Sequence, residues 1–227
     1  MPERTEAERE EQMRTVAKQL RKPQGEFGMQ LGQTMNQGNL LINRSAIDAV
    51  RLPDNGRILE IGMGNGFFAS ELLDLADGTR YVGCDYSPLM VAQATELNAT
   101  LVESGRATFV HGEISKLPID SNTFDVVITV NTLYFWSDPL LALANVQRAL
   151  KPGGQLVLAI RPERVMRYYP FAKYDFAMYS DVAIKDLLSK AGFLQIELAE
   201  FEEPDRDIAG KSYAIATLVA TAVTPVD

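Results

Sequence analysis

The sequence of 227 residues has few of the side chains from which several common sites are built. It contains a single cysteine, Cys84, and a single histidine, His111, so it cannot form an internal disulfide framework and we expect no metal cluster. No apolar run approaches the roughly 20 residues that cross a bilayer, and the charged N-terminus lacks a secretory apolar region. We therefore expect a cytoplasmic protein with no metal and no membrane partner.

Positive charge is also scarce, because 22 Lys and Arg residues face 30 Asp and Glu residues and give a net charge of -8. Binding of nucleic acid depends on neutralising phosphates with basic side chains, so we expect no nucleic-acid partner. The hydrophobic fraction of 46% is ordinary for a globular protein. A single domain of this size buries about 70% of the surface that its unfolded chain exposes.

The most informative stretch of the chain covers residues 58–69 and reads ILEIGMGNGFFA. An apolar strand end and Glu60 are followed by glycines at alternate positions, Gly62, Gly64 and Gly66, and then by a helical pattern. Glycine permits a tight strand-to-helix turn and lets a ligand approach bare backbone, and the helix beyond presents free N–H groups. The stretch therefore predicts a nucleotide-type ligand at the end of the first strand.

Two residues separate this stretch from the phosphate-binding loops. The dinucleotide fingerprint G-x-G-x-x-G needs glycine where this chain has Phe67, and a P-loop needs a Gly-Lys-Ser/Thr that is missing. The carboxylate of Glu60 would repel a pyrophosphate and would suit a ligand that carries positive charge. S-adenosylmethionine is such a ligand, because it has a sulfonium, an amino group and no phosphate. The alternative interpretation of the stretch is a glycine-rich turn that binds no ligand.

The acid-x-Gly-x-Gly-x-Gly pattern of residues 60–66 resembles motif I of the class I S-adenosylmethionine-dependent methyltransferases. The resemblance extends from about residue 57 to residue 160 and is greatest to the small-molecule branch, methyltransferase types 11 and 25. It implies an α/β, Rossmann-like, mostly parallel sheet of seven strands in the order 3-2-1-4-5-7-6, with helices on both faces. It also implies that Glu60 and the three glycines contact S-adenosylmethionine, with S-adenosylhomocysteine as product.

The order of the remaining patterns agrees with this fold. Strands alternate with helices between residues 57 and 160, which predicts a parallel sheet covered on both faces. Two final strands, at 194–201 and 213–222, have no helix between them and predict an antiparallel edge. We interpret residues 1–50 as an N-terminal helical lid or appendage and residues 51–227 as the cofactor-binding domain.

Further candidate residues for the cofactor lie where later strands end, because ligands bind at the carboxyl ends of an open α/β sheet. Asp85 can accept hydrogen bonds from ribose hydroxyls, although it could also be an ordinary residue of a helix-entry loop. Tyr86 is a candidate to lie along the adenine. The resemblance places the adenine at Glu113 and Ile114, through the carboxylate of Glu113 or the backbone N–H of Ile114. We expect Asn131 to line the pocket near the methyl donor.

Two segments have no place in the minimal sheet, namely residues 1–40 and residues 161–180. The second is rich in aromatic residues and methionine, which suit an adaptable apolar pocket, although a helix packed on the core would have the same composition. We expect both segments to form a lid over a small, partly apolar methyl acceptor. The candidate acceptor contacts are Phe27, Met35, Tyr134, Tyr168, Tyr169 and Tyr174.

The chemistry of methyl transfer explains why no catalytic residue can be named from the sequence. The reaction is an in-line displacement with a good leaving group, so the protein mainly aligns donor and acceptor and excludes water. A general base is needed only where the acceptor stays protonated. We expect a monomer or homodimer.

Three other functions stay open. They are a non-catalytic protein of the same fold, a protein or RNA methyltransferase, and an NAD-dependent oxidoreductase, the last of which Glu60 and Phe67 disfavour.

Overall fold

The computed structural model describes residues 5–116 and 120–226, and a single sheet organises them. Its strands are β1 (Arg57–Ile61), β2 (Arg80–Asp85), β3 (Ala107–His111), β4 (Phe124–Val130), β5 (Leu150–Ile160), β6 (Leu194–Ile208) and β7 (Lys211–Val223). Within the described residues they form a seven-stranded sheet in the order β3-β2-β1-β4-β5-β7-β6. The first five strands are parallel, and β7 runs antiparallel to β5 and β6. The predicted order is confirmed.

Helices cover both faces of this sheet and extend the N-terminus. They are α1 (Glu6–Arg21), α2 (Gly25–Gly38), α3 (Leu40–Asp48), α4 (Ala69–Leu73), α5 (Pro88–Leu97), α6 (Ala99–Glu103), α7 (Pro139–Ala149), α8 (Glu163–Met166) and α9 (Asp181–Lys190), with 3-10 helices over Leu133–Phe135 and Pro170–Lys173. None of the helices in the described parts of the chain has the length and apolarity needed to cross a membrane.

The core is divided by the sheet into two layers. Neighbouring residues of one strand, such as Ile58 and Leu59, are both fully buried but belong to different apolar clusters, because successive side chains point to opposite faces. One cluster includes Leu143 of α7 and Ile184 of α9, and the other includes Ile42 of α3. Burial on both faces explains why the central strands are almost continuously apolar.

The N-terminal helices differ in how they pack. Ile42 and Ala46 of α3 are fully buried against the sheet, whereas Ala17 is the buried residue of α1. Thus α3 belongs to the core of the sheet, and α1 and α2 lie outside it. The division at residue 50 stays a prediction, with the helical N-terminus itself present in the structure.

The β6–β7 hairpin is longer than the sequence indicates. The expected strands 194–201 and 213–222 continue to Ile208 and Lys211, well beyond the pairing of Ile160 with Leu218 where β5 ends. The added part of β6 contains proline and many acidic residues, which resemble a loop in sequence but are tolerated on an edge strand. The hairpin end therefore rises past the sheet toward α2.

The turn of this hairpin provides a test of the backbone geometry. Ala209 and Gly210 connect the strands with φ values of 56° and 80°, as a two-residue turn of type I′ requires. Alanine is disfavoured in the left-handed region, whereas asparagine tolerates it. We predict that Ala209→Asn raises the free energy of unfolding by about 0.5–1 kcal/mol in urea titrations.

Gly210→Ala is the matched comparison for that variant. A Cβ at Gly210 would meet no heavy atom within 4 Å, so only the backbone conformation opposes it. We expect a loss of about 1 kcal/mol. An Ala209→Asn variant that is less stable than the parent would contradict the assigned turn.

Candidate functional site

A cavity of about 480 Å³ lies over the carboxyl ends of the central strands, which is a size typical of small-molecule sites. We call one part the motif section; it is lined by residues 60–65, 84–86 and 112–116. We call the other part the hairpin section; it is lined by Asn131, Tyr134, Arg161, Met166, Tyr169, Phe171, Phe176 and Arg206. Residues of α1 and α2 contribute to the wall that faces the sheet.

The glycine turn after β1 forms the floor of the motif section. At Gly62, where φ is 73°, a Cβ would lie 2.2 Å from Cγ2 of Thr132, so no other residue fits there without movement. At Gly64, where φ is 59°, a Cβ would meet no heavy atom within 4 Å. The backbone of Gly64 therefore faces open cavity, and a ligand can approach it closely.

Glu60 lies at the end of β1 and is only 5% exposed. Its Oε2 accepts a hydrogen bond of 2.6 Å from the hydroxyl of Tyr81. Burial raises the pKa of Glu60 to about 7. The hydrogen bond from Tyr81 lowers this pKa, and the negative charge of Asp85 raises it further. Near neutral pH this carboxyl group is thus poised between its neutral and ionised forms.

Asp85 brings a second carboxylate to the motif section from β2. Its Oδ2 accepts from the backbone N–H of Gly64 at 3.0 Å, and its Oδ1 accepts from that of Ser87 at 2.8 Å. Burial raises the pKa of Asp85 to about 6, although these two hydrogen bonds lower it. Each carboxylate oxygen keeps a further lone pair for a ligand, since two donors do not satisfy the group.

The neighbouring strand ends complete this part of the cavity. The ring of Tyr86 lies beneath the ammonium group of Lys22 at 4.3 Å, which connects the end of α1 to β2. Ile114 is 3% exposed, and Glu113 forms an ion pair of 3.2 Å with Lys116. An acidic residue and an apolar residue therefore stand side by side beyond β3.

Asn131 stands between the motif section and the helices above it. It has a φ of 56°, its Nδ2 donates to Oδ1 of Asn39 at 3.3 Å, and its Oδ1 accepts from the Tyr134 hydroxyl at 3.0 Å. Because Asn39 follows α2, this chain of hydrogen bonds joins the N-terminal helices to the ends of β4 and β5.

The structure brings most of the predicted cofactor residues to one cavity. Those that line it are Glu60, Gly62, Gly64, Asp85, Tyr86, Glu113, Ile114 and Asn131. Gly66 lies behind the lining, where a Cβ would come within 2.9 Å of the Cβ of Ala94 in α5. Gly66 thus permits close packing between the turn and a helix.

The predicted acceptor residues divide into two groups. Those that line the cavity are Met35, Tyr134 and Tyr169. Phe27 is 44% exposed, Tyr168 stacks on Tyr213 at 4.3 Å, and Tyr174 packs against the guanidinium group of Arg14 at 4.5 Å. Phe27, Tyr168 and Tyr174 lie outside the lining, because aromatic composition does not specify the direction in which each ring points.

Sequence reasoning gave no role to the two arginines of the hairpin section, although it assigned the segment 161–180, which supplies Arg161 and the apolar residues beside it, to the acceptor pocket. Arg161 follows β5, and its side chain and that of Glu203 are each 4% exposed. Nη2 of Arg161 donates to Oε2 of Glu203 at 2.9 Å, and Nη1 donates to Oγ1 of Thr217 at 2.7 Å. This cluster fixes the extended hairpin to the end of β5. An arginine directly after the apolar run 156–160 was the available signal.

The Arg161–Glu203 pair gives a second prediction. Glu203→Gln leaves a buried guanidinium without its counter-charge, so we expect the free energy of unfolding to fall by about 3 kcal/mol in urea titrations. Glu202→Gln, at the exposed neighbouring position, should change it by less than about 0.5 kcal/mol. Equal effects of the two substitutions would show that the pair does not hold the hairpin.

Residues 59–158 match the protein family described as "Methyltransferase domain". Among similar curated proteins, the uncharacterized methyltransferase YdaC of Bacillus subtilis is 28% identical over 58% of this chain and 70% of its own length. An O-methyltransferase of Pyrenophora dematioidea is 24% identical over 72% of this chain and 64% of its own. A demethylmenaquinone methyltransferase of Beutenbergia cavernae is 32% identical over 52% of this chain and 46% of its own length. The chain thus spans only part of these relatives.

Solved structures agree with the observed topology. A Haloferax volcanii methyltransferase in complex with the Trm112 methyltransferase activator has a TM-score of 0.72 and 22% identity, covering 86% of this chain and 93% of that one. An S-adenosylmethionine-dependent methyltransferase from Aquifex aeolicus has a TM-score of 0.62 and 18% identity, with coverages of 86% and 97%. At these identities the likeness shows the fold alone.

Proposed function

We propose that the chain is a class I S-adenosylmethionine-dependent methyltransferase that methylates a small, partly apolar metabolite, because residues 59–158 match the methyltransferase family and the relatives and structural neighbours named above are methyltransferases. The observation that carries this proposal is the continuity of one cavity from the glycine turn to the apolar hairpin section. Among the relatives, an O-methyltransferase and a demethylmenaquinone methyltransferase bear names that point to small acceptors. The monomeric or homodimeric state and the cytoplasmic location stay predictions from the sequence.

The motif section fits S-adenosylmethionine as methyl donor. The open space at Gly64 admits a ligand against bare backbone, and the buried carboxylates of Glu60 and Asp85 favour a ligand with positive charge and hydroxyl donors. Asp85 would accept from the ribose, and Glu113 with Ile114 would bind the adenine. When bound, the cofactor supplies a methyl group on a sulfonium.

The hairpin section would bind the acceptor. Met166, Phe171 and Phe176 give it an apolar wall, and Tyr169 adds a hydroxyl at its edge. Apolar and aromatic side chains of this kind bury the body of a small molecule and exclude water from the reacting atoms. The acceptor we propose is therefore partly apolar, with a polar group at one end.

The protein's own contribution to the reaction would be alignment and exclusion of water. The Ser87 hydroxyl donates to the backbone carbonyl of Pro23 at 2.6 Å, so the connection between α1 and α2 is held over the end of β2. Burial raises the pKa of the Tyr134 hydroxyl far above its ordinary value, so Tyr134 stays protonated and serves as a hydrogen-bond partner and not as a base.

Binding and turnover of the cofactor test this proposal. We expect calorimetry to show S-adenosylmethionine binding that weakens by about tenfold to a hundredfold in Asp85→Asn, because charge-assisted hydrogen bonds are lost. Asp74→Asn, at the exposed C-terminal end of α4, is the matched control and should bind as the parent does. Release of S-adenosylhomocysteine across a metabolite library then identifies the acceptor.

Two results would contradict the proposal. If NADH binds more tightly than S-adenosylhomocysteine, the assignment of the donor is wrong. If S-adenosylmethionine binds but no acceptor in a broad library yields S-adenosylhomocysteine, a non-catalytic or different role for the same fold is favoured. The structural neighbour described as the [4+2]-cyclase SpnF, with a TM-score of 0.64 and 18% identity, shows that the fold occurs in a protein named for another reaction.

The raised pKa values of Glu60 and Asp85 give a prediction on pH. Both groups are neutral below their pKa values of about 7 and about 6 and ionised above them. A sulfonium is attracted by the ionised forms, whereas the thioether of S-adenosylhomocysteine carries no such charge. We predict that the ratio of S-adenosylmethionine affinity to S-adenosylhomocysteine affinity rises by on the order of tenfold from about pH 5 to about pH 8.

The Glu60→Gln variant tests the origin of that pH dependence. It cannot ionise at this position, so the rise in the affinity ratio should become smaller, while Glu96→Gln on the exposed side of α5 should retain it. Isothermal titration at several pH values provides the measurement. A ratio that stays constant or falls as the pH rises would mean that these carboxylates do not face the sulfonium.

A further inference from the structure

The two arginines of the hairpin section are in different electrostatic situations. The guanidinium group of Arg161 is hydrogen-bonded to both carboxylate oxygens of Glu203, and it also reaches Thr217 and the carbonyl of Ala216. Although burial raises the pKa of Glu203, the hydrogen bonds from Arg161 and Thr217 and the charges of Arg161 and Arg206 lower it overall. Glu203 is therefore ionised at neutral pH, and its charge balances that of Arg161.

Arg206 has no such counter-charge within the described residues. Its Nη2 donates to the carbonyl oxygen of Gly38 at 3.0 Å, and its Nη1 donates to the hydroxyl of Tyr169 at 3.4 Å. Both acceptors are neutral, and no carboxylate oxygen of residues 5–116 or 120–226 lies within 4.0 Å of its guanidinium nitrogens. The local set of Arg161, Glu203 and Arg206 thus has a net charge of +1.

The position of Arg206 directs this charge into the cavity. Arg206 is half-buried on β6 and lines the hairpin section beside Tyr169, which belongs to the segment that also supplies Met166 and Phe171. A guanidinium group has five N–H donors in a planar fork, and the neutral contacts of Arg206 occupy only part of them. Desolvating a cation without a partner is costly, so a ligand anion at this place would be stabilised.

The carboxylates that line the cavity lie on other strands. Glu60 and Asp85 lie at the ends of β1 and β2, and Glu113 and Asp138 follow β3 and β4. In the sheet order, β4, β5 and β7 lie between β1 and β6. The cavity is therefore negative in its motif section and positive in its hairpin section.

We propose that Arg206 is the anion-binding residue of the acceptor subsite and that the acceptor carries one carboxylate group attached to an apolar body. The inference rests on the proposed function, because it assigns the hairpin section to the acceptor. The planar fork of arginine matches a carboxylate through two parallel hydrogen bonds. A single negative charge balances the net charge of +1, whereas a phosphate dianion would exceed it.

Matched pairs of probe molecules test the proposal on the full chain saturated with S-adenosylhomocysteine. The panel contains benzoate, phenylacetate and 3-phenylpropionate, the neutral amide of each, and phenyl phosphate, with affinities measured by ligand-observed NMR. We expect at least one carboxylate to bind on the order of tenfold more tightly than its amide. Arg206→Gln should remove this preference and leave amide binding unchanged, and Arg206→Lys should keep part of it.

Arg164→Gln is the control variant, because Arg164 lies outside the cavity lining and pairs with Glu200 on the same hairpin. It should keep the full preference for carboxylates. If Arg206→Gln weakens the carboxylate and its amide equally, Arg206 only anchors α2 through Gly38, and the proposal is wrong. It is also overturned if no carboxylate is preferred to its amide, or if phenyl phosphate binds more tightly than every carboxylate.

These outcomes are separable from failure of the proposed function. If the chain binds S-adenosylhomocysteine and forms it from S-adenosylmethionine in the presence of some acceptor but shows no carboxylate preference, only the role of Arg206 is rejected. If neither cofactor form binds, the assignment of the motif section fails before any probe is added. The two inferences therefore have different readouts, namely cofactor binding and charge selectivity.

Discussion

The turn after β1 packs against the turn after β4 with no space for a side chain between them. Gly62 approaches Thr132 so closely that a Cβ could not be accommodated, and the Thr132 hydroxyl is hydrogen-bonded to that of Thr129. Thr129 in turn donates to the backbone carbonyl of Ile61 at 3.0 Å. These contacts hold the ends of β1 and β4 together. The strand order changes direction between these two strands, and an open α/β sheet forms its ligand-binding crevice at that point. The position of the cavity depends on these contacts between the two turns.

The electrostatic character of the motif section follows from the same arrangement. With β1 and β2 adjacent, Glu60 and Asp85 are brought together, and burial makes the ionised form of each unfavourable. Among the described residues neither carboxylate has an ion-pair partner within 4.0 Å. Backbone N–H groups and a tyrosine hydroxyl support them, which leaves a cationic ligand as the group that would offset their desolvation.

The parts of the fold that could be predicted are those with local signals. The strand order and the cavity-lining positions at Asp85, Glu113 and Asn131 were accessible because glycine spacing, apolar runs and strand ends are visible in sequence. Arg161 and Arg206 of the hairpin section were not, because they reach the cavity only through tertiary contacts. Tyr168 and Tyr169 show how little residue type alone reveals. They are adjacent tyrosines, but Tyr168 stacks on Tyr213 outside the cavity lining and Tyr169 lines the cavity.

Arg206 illustrates the same limit at the level of charge. In sequence it is one basic residue among the acids of 202–207, which predicts a solvated loop. It becomes a cavity residue because β6 continues past the end of β5 and because the Arg161–Glu203 pair fixes that extension. The motif section thus depends on the short turn after β1, whereas the hairpin section depends on a buried ion pair between the end of β5 and the edge strand β6. Substitutions in the hairpin can therefore alter which acceptor fits while leaving the glycine turn and its carboxylates in place.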